Sequence, residues 1–225
     1  MTNYQLYIFD WDGTLMDSIG RIVSSLQIAA EQIGLMPVSD AEAKSIIGLS
    51  LSVALKRLYP SIEQQDEQAL IEAYKQQFLF DNHVPAPLFE HSISLLTMLK
   101  EQGKLTAVAT GKARRGLNQM LLDTDTEHLF DFTICADESE SKPSPHMLNS
   151  VLRELSVPIE DAVMVGDSIH DLTMANNAGM DSVGITLGAD SKAVLQSCEP
   201  TAIVDSMIEL GHLLTGVPIH QHQNG

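Results

Sequence analysis

The sequence predicts an α/β protein in which a doubly wound parallel sheet carries a small all-helical insertion after its first strand. Short, nearly continuous apolar runs recur along the chain, and from residue 104 onward helical patterns separate them. The stretch 16–85, by contrast, has helical patterns and no convincing strand. Continuous apolar runs are typical of strands buried on both faces, and their alternation with helices implies a parallel sheet with right-handed crossovers.

The elements of the predicted core follow in a regular order. Strands are predicted at residues 4–10, 105–111, 132–137, 161–167 and 181–188, with 202–206 as a further candidate. The segment 88–103 has apolar residues near helical spacing and a stop at Gly103, and Ser144 with Pro145 forms an N-cap and first-turn pair before an apolar stripe. This order is that of a Rossmann-like core.

The insertion is predicted to be a helical cap domain. The segments 39–42 and 61–64 both have the spacing of a capping box, which marks helix starts. Prolines at the end of the insertion mark its exit. We therefore expect a catalytic core made of residues 1–15 and 86–225, and a cap made of residues 16–85.

Composition restricts the possible functions. Apolar residues make up 44% of the 225 residues, so a sizeable core can form, and the net charge of −17 disfavours binding to nucleic acid or anionic membranes. An anionic small substrate would need a cation in the site. The two cysteines, Cys135 and Cys198, form no metal-binding pattern, and Cys135 lies in an apolar run typical of a core. With no basic leader and no run of ~20 apolar residues, a cytoplasmic location is expected.

The first chemical motif follows the first predicted strand. Asp10, Asp12, Gly13 and Thr14 stand where the carboxyl ends of parallel strands form a ligand crevice. Two aspartates two residues apart on an extended chain point the same way, and Gly13 allows a sharp turn that exposes backbone N–H groups to an anion. A solvated Asp-Gly turn is the common alternative for such a pattern.

Three further polar groups follow other predicted strands or precede a helix. Thr110 and Gly111 end the second strand, Lys142 lies in a loop before a helix, and Asp167 and Asp171 flank a predicted helix start near residue 168. Each alone has an ordinary explanation: a turn, a solvated lysine, or acids at the favourable end of a helix dipole. Together they gather carboxylates, a hydroxyl and a lysine in one crevice.

These motifs resemble those of the haloacid dehalogenase superfamily of phosphatases. The match covers DWDGT, ATG, SKPSP and GDSIHDL, at residues 10–14, 109–111, 141–145 and 166–172. The sequences at 12–18 and 47–60 are most similar to the phosphoglycolate-phosphatase-like branch. Two departures are the absence of Pro-Gly after the cap and the presence of Gly111 where asparagine or serine is common.

The resemblance implies a role for each aspartate. Asp10 would attack phosphorus and form an aspartyl phosphate, and Asp12 would protonate the leaving oxygen and later take a proton from water. Mg²⁺ would bind the carboxylates of Asp10 and Asp167 and the backbone carbonyl of Asp12, with Asp171 in the outer shell.

The resemblance also implies a phosphate-binding set. Thr110, Lys142 and backbone N–H groups near Gly13, Thr14 and Gly111 would hold the phosphoryl oxygens. An aspartate at the Asp12 position favours ester hydrolysis or phosphoryl transfer over dehalogenation. The expected substrate is a small phosphorylated metabolite, with phosphoglycolate, sugar phosphates, nucleoside monophosphates and pyrophosphate all open.

Two other functions are consistent with the same motifs. A phosphosugar mutase of the β-phosphoglucomutase type would use the same two aspartates, and a binding module could keep the fold without catalysis. Candidate cations for substrate recognition in the cap are Lys44, Lys56 and Arg57, although solvated helix surface is their expected position.

Overall fold

The computed structural model describes residues 4–217 and contains a six-stranded parallel sheet of order β3-β2-β1-β4-β5-β6. The strands are β1 (Leu6–Phe9), β2 (Leu105–Thr110), β3 (Phe132–Cys135), β4 (Ala162–Gly166), β5 (Asp181–Ile185) and β6 (Ala202–Val204). The five predicted strands and the further candidate at 202–206 are confirmed, and so is the predicted fold class. The central strand β1 pairs with β2 on one side and β4 on the other.

Helices cover both faces of the sheet. They are α1 (Ile19–Gln32), α2 (Asp40–Lys44), α3 (Leu51–Leu58), α4 (Gln64–Gln76), α5 (Ser92–Glu101), α6 (Arg114–Asp123), α7 (His146–Leu155), α8 (Ile169–Ala178), α9 (Lys192–Gln196) and α10 (Met207–Thr215). A π-helical turn, Gln77–Asp81, extends α4, and short 3₁₀ turns occupy Glu127–Leu129 and Ile159–Asp161. None of the helices between residues 4 and 217 is both long enough and apolar enough to span a bilayer.

Residues of β1 alternate between two apolar cores. Leu6 and Ile8 belong to a cluster with residues of α7 and α8, whereas Tyr7 and Phe9 face the cluster that includes α5, α10 and the insertion. Successive side chains of a strand point to opposite faces, so a strand covered on both sides must be apolar throughout. Burial of Cys135 at the end of β3 confirms its predicted place in the core.

The helical insertion consists of α1 to α4 and the π-helical turn, between β1 and α5. The two connecting segments lie side by side: Met16 forms an antiparallel bridge with Leu88, and the Asp17 N–H donates to the Pro87 carbonyl at 2.8 Å. The exact division into a core of 1–15 and 86–225 and a cap of 16–85 stays a prediction.

The local helix signals are only partly confirmed. Ser39 forms the predicted capping box with Glu42, but α4 begins after Glu63 without a side-chain cap, so the box predicted at 61–64 is wrong. The α7 helix begins one residue later than predicted, because Pro145 and not Ser144 is its N-cap residue.

The α5 helix begins after His91, which adopts a left-handed conformation with φ of 72°. The predicted helical segment 88–103 therefore starts too early. Its first apolar residue, Leu88, instead pairs with Met16 where the chain leaves the insertion.

Candidate active site

The loop after β1 places two buried aspartates at the carboxyl edge of the sheet. The Asp10 N–H continues the sheet by donating to the Val165 carbonyl at 2.9 Å, and the Asp10 and Asp12 residues are 1% and 7% exposed. Gly13 has φ of +78°, and a Cβ there would lie 2.2 Å from Oδ2 of Asp167. A glycine is therefore required both by the turn and by the close approach of the opposing carboxylate.

Three carboxylates and one lysine form a buried cluster below this loop. One oxygen each of Asp10, Asp167 and Asp171 lies within 4.8 Å of the others. Lys142 Nζ lies 2.6 Å from Asp171 Oδ1 and 3.0 Å from Asp10 Oδ1, and its side chain is fully buried. The loops after β1, β3 and β4 and the first turn of α8 thus bring together four residues that the sequence assigned to one crevice.

Hydrogen bonds fix the two distal carboxylates of the cluster. Thr14 Oγ1 donates to Asp167 Oδ1 and the Ala189 N–H to Asp167 Oδ2, both at 2.7 Å. Asp171 Oδ2 accepts from the N–H and hydroxyl of Ser168, at 3.1 and 2.7 Å, in the capping box that begins α8. Their positions are therefore set by the Thr14 hydroxyl, a backbone N–H and a helix cap.

Burial makes the negative charge of this cluster costly. It raises the pKa of Asp10 to about 7, with Lys142 acting against the shift and Asp171 and Asp12 adding to it. Burial also raises the pKa of Asp167 well above its usual range, and the neighbouring Asp171 and Asp10 raise it further. For Lys142, burial alone would lower the pKa, but the attraction of Asp10 and Asp171 outweighs it and raises the pKa.

The cluster fits a divalent cation. Among residues 4–217, Asp10 Oδ1 is the one buried side-chain oxygen or nitrogen without a well-aligned hydrogen bond, and the ion pair with Lys142 at 3.0 Å is its polar contact. Three carboxylates face one lysine, so negative charge remains in excess. Carboxylate oxygens are the ligands of hard cations such as Mg²⁺, whose charge would offset the burial cost.

Asp12 points away from this cluster. It is held by two side chains that were not predicted from the sequence to belong to the site. Lys112 Nζ donates to both of its carboxylate oxygens at 2.8 and 2.9 Å, and the Ser18 hydroxyl donates at 2.5 Å. The same ammonium group lies 4.2 Å from the ring centroid of Phe78, in the π-helical turn of the insertion. Lys112 therefore contacts the core and the insertion together.

The loop after β2 forms the next wall of the site. Thr110 is fully buried, and its hydroxyl accepts from the Lys112 N–H at 3.2 Å. A Cβ on Gly111 would lie 2.6 Å from the carbonyl oxygens of Gly48 and Leu49 in the insertion. Glycine at 111 therefore allows the insertion to close onto the core at this point.

A cavity of about 370 Å³ lies between the insertion and the strand ends. Asp10, Asp12 and Thr110 line its core side, and apolar side chains from α1, α3, α4 and the segment before α3 line the other. Lys44, Lys56 and Arg57 are exposed and line no part of it, which confirms their expected position on the helix surface.

Some residues of the site were not predicted from the sequence, although the sequence contains signals for two of them. Lys112 directly follows the ATG segment and Ser18 ends the DGTLMDS segment, so both stand next to motif residues. Gly188 carries no such signal, yet a Cβ there would lie 2.0 Å from Oδ2 of Asp167. Its contact depends on the loop after β5 folding back over β4.

The fold and this cluster together define an α/β enzyme that handles an anionic group at the carboxyl edge of a parallel sheet, beneath a helical cap. The haloacid dehalogenase-like hydrolase family model matches residues 7–185, and the chain belongs to that family. The predicted resemblance is thus confirmed, and with it the prediction of an enzyme of the phosphatase class.

Relatives of this family span nearly the whole chain. "Probable phosphatase IndB" from Dickeya dadantii is 34% identical over 211 residues, which cover 91% of either chain. A phosphoglycolate phosphatase from Vibrio cholerae is 29% identical and covers 95% of this chain and 97% of its own. A haloacid dehalogenase-like hydrolase from Bacteroides fragilis has a similar structure, with a TM-score of 0.85 at 25% identity, over 92% of this chain and 99% of the other.

Proposed function

We propose that this protein hydrolyses small phosphate monoesters through an aspartyl-phosphate intermediate on Asp10. The observation that carries this proposal is the position of Asp10: its carboxylate lies at the floor of the cavity, beside Lys142 and two further carboxylates. The metal would be Mg²⁺, held by Asp10, Asp167 and the backbone carbonyl of Asp12, with Asp171 in the outer shell. When bound, it supplies positive charge that lets a phosphate approach these aspartates.

In the first step, a carboxylate oxygen of Asp10 attacks phosphorus and the ester P–O bond breaks. Asp12 gives its proton to the departing alcohol oxygen. Lys142, Thr110 and the N–H groups of Thr14 and Gly111 hold the phosphoryl oxygens, where negative charge must be stabilised. The Gly13 N–H, which was predicted to join them, donates to the Met16 carbonyl at 2.8 Å. Lys142 suits this task because it already faces Asp10 at 3.0 Å and has no solvent contact.

In the second step, water attacks the phosphorus of the aspartyl phosphate and its proton passes to Asp12. The bond between phosphorus and the Asp10 oxygen breaks, which releases phosphate and restores both groups. The contacts of Lys112 and Ser18 with Asp12 suit the carboxylate form that accepts this proton. The helical cap excludes bulk water while the intermediate forms. We place the enzyme in the cytoplasm, acting on a phosphorylated metabolite.

Rapid acid quench followed by intact-mass analysis tests the assignment of the two aspartates. With p-nitrophenyl phosphate and Mg²⁺, Asp10→Asn should show no phosphate adduct, because an amide is a poor nucleophile. Asp12→Asn should form the adduct but hydrolyse it slowly, with turnover reduced by about 10²- to 10⁴-fold. The good leaving group needs no proton to depart, so the adduct should accumulate.

Peptide mapping decides the outcome. An adduct on the Asp10→Asn protein, or one mapped to Asp12, would overturn the proposed mechanism. Asp17→Asn is the matched control, because Asp17 lies in the same segment and is exposed. That variant should accumulate no more adduct than the wild type. Transfer of the phosphoryl group to a sugar hydroxyl in place of water would identify a mutase.

A further inference from the structure

The walls of the cavity above Asp10 and Asp12 differ in kind. The core side presents the phosphate-handling groups, whereas the insertion presents mainly aliphatic and aromatic side chains. Among them, Leu26 and Leu55 are almost fully buried, and Phe78 is stacked on Tyr74 with ring centroids 5.9 Å apart. Apolar walls reward apolar ligand surface and penalise a charge that finds no partner there.

Two of the three cations that line the cavity, Lys75 and Lys112, are paired with carboxylates. Lys112 is bound to both carboxylate oxygens of Asp12. Lys75 of the insertion pairs with Glu72 at 2.7 Å. The third cation, Arg115, belongs to α6 of the core and is exposed to solvent. No uncompensated cation from the insertion, all of whose residues are described, faces the leaving group.

The size of the cavity also favours a ring-sized alcohol group over a small acid. At about 370 Å³ it falls in the range of pockets that enclose ring-sized ligands. A two-carbon acid such as glycolate would fill little of it and would bring a second negative charge to an apolar wall. The one polar group of the stacked aromatic pair is the Tyr74 hydroxyl, which makes no hydrogen bond with any residue between 4 and 217.

We infer that the cavity selects phosphate monoesters whose alcohol carries an uncharged, largely apolar ring, and that it disfavours small esters with a second anionic group. This inference rests on the proposed function for its placement of the phosphate. Burial of a ring against the insertion provides the selection, and the Tyr74 hydroxyl is a secondary contact.

Steady-state kinetics with two alkyl esters tests the selection. We expect kcat/KM for 2-naphthylmethyl phosphate to exceed that for 2-phosphoglycolate by at least about tenfold, the scale of discrimination that a hydrophobic pocket achieves. Glucose 6-phosphate, with a polar ring, should rank below the naphthyl ester. Equal rates, or a preference for phosphoglycolate, would overturn the inference.

Variants of the wall separate ring burial from other causes. Leu51→Lys places a cation at the cavity and should reduce the preference for the naphthyl ester about tenfold, whereas Val53→Lys, on the same helix but 44% exposed and outside the cavity, should leave it unchanged. Tyr74→Phe keeps the ring and should keep the preference. Loss of preference in Tyr74→Phe, or equal loss in both lysine variants, would contradict selection by ring burial.

A binding measurement separates this inference from the proposed function. Phosphonates that replace the ester oxygen by a methylene group cannot be hydrolysed, so calorimetry with wild-type protein and Mg²⁺ reports binding alone. The naphthyl phosphonate should bind at least about tenfold more tightly than 3-phosphonopropionate, the counterpart of phosphoglycolate. Weaker, equal or undetectable binding of the naphthyl compound refutes the inference. Tight naphthyl binding without phosphate release from any ester would instead refute the proposed function and leave the selection standing.

Discussion

Replacing Asp10 with asparagine is expected to stabilise the metal-free protein while it abolishes turnover. Burial raises the pKa of Asp10 from its ordinary value of 3.8 to about 7. Between these two values the folded protein binds more protons at this site than the unfolded chain does, so wild-type stability falls as pH rises through that window. Above pH 7 the full penalty of the buried charge is present.

The size of the effect follows from the pKa shift. About three pH units correspond to a free energy on the order of 4 kcal/mol, with Lys142 already counted in the shift. Asparagine has a similar shape and no titrating group, so Asp10→Asn should raise Tm at pH 8 by about 10 °C in a chain of this length. At pH 4 the wild-type carboxyl is protonated, and the difference should nearly vanish.

Calorimetric melting of chelator-treated protein at several pH values measures this effect. Asp17→Asn is the control, since the same change at an exposed position should not alter the pH dependence. Saturating Mg²⁺ should then raise Tm of the wild type more than that of Asp10→Asn, because ligand binding stabilises only the protein that binds it. An Asp10→Asn protein that melts at or below the wild-type temperature at pH 8, or a difference independent of pH, would refute the reasoning.

Three further outcomes are expected. Chelation should abolish phosphate release and Mg²⁺ should restore it, whereas full activity in excess chelator would exclude a metal requirement. Lys142→Ala should reduce turnover by at least about 10²-fold because it removes the buried cation beside Asp10, and exposed Lys56→Ala should have little effect; circular dichroism will show that both variants fold. Gly188→Ala should weaken the Mg²⁺-dependent rise in Tm, because the added Cβ would displace the Asp167 carboxylate. Gly116→Ala is the control and should not weaken it, since a Cβ at residue 116 would meet no other segment within 4 Å among residues 4–217. Equal changes in both variants would contradict this prediction.

The parts of the fold that the sequence predicted share one physical cause. Strands covered on both faces must be apolar throughout, so β1, β2 and β4 can be recognised in the amino-acid sequence as continuous apolar runs. Polar residues that directly follow such runs necessarily gather at one edge of a parallel sheet. Asp10, Thr110 and Asp167 could therefore be placed together without knowledge of any contact between them.

The features that the sequence did not predict depend on packing between distant segments. The partners of Lys112 are a carboxylate 100 residues away and an aromatic ring in the insertion, and a lysine after a strand is usually solvated. The capping box at 61–64 failed because the spacing of Ser61 and Gln64 is shared by many segments that begin no helix there. The shape of the cavity likewise depends on how the insertion lies on the core.

The bridge between Met16 and Leu88 has a consequence for engineering. The chain leaves the sheet after β1 and returns to it before α5 at neighbouring points, joined by the Asp17 N–H to the Pro87 carbonyl and the Phe89 N–H to the Leu15 carbonyl. The ends of the insertion are therefore fixed by backbone hydrogen bonds, whose N–H donors any residue except proline can supply. A foreign helical module spliced between residues 18 and 87 must match this short gap, and added loop length there costs little conformational entropy. It must also replace the contacts that Gly48, Leu49 and Phe78 make with the core. The insertion can thus be exchanged so that the buried cluster of carboxylates is kept while the insertion side of the cavity is replaced.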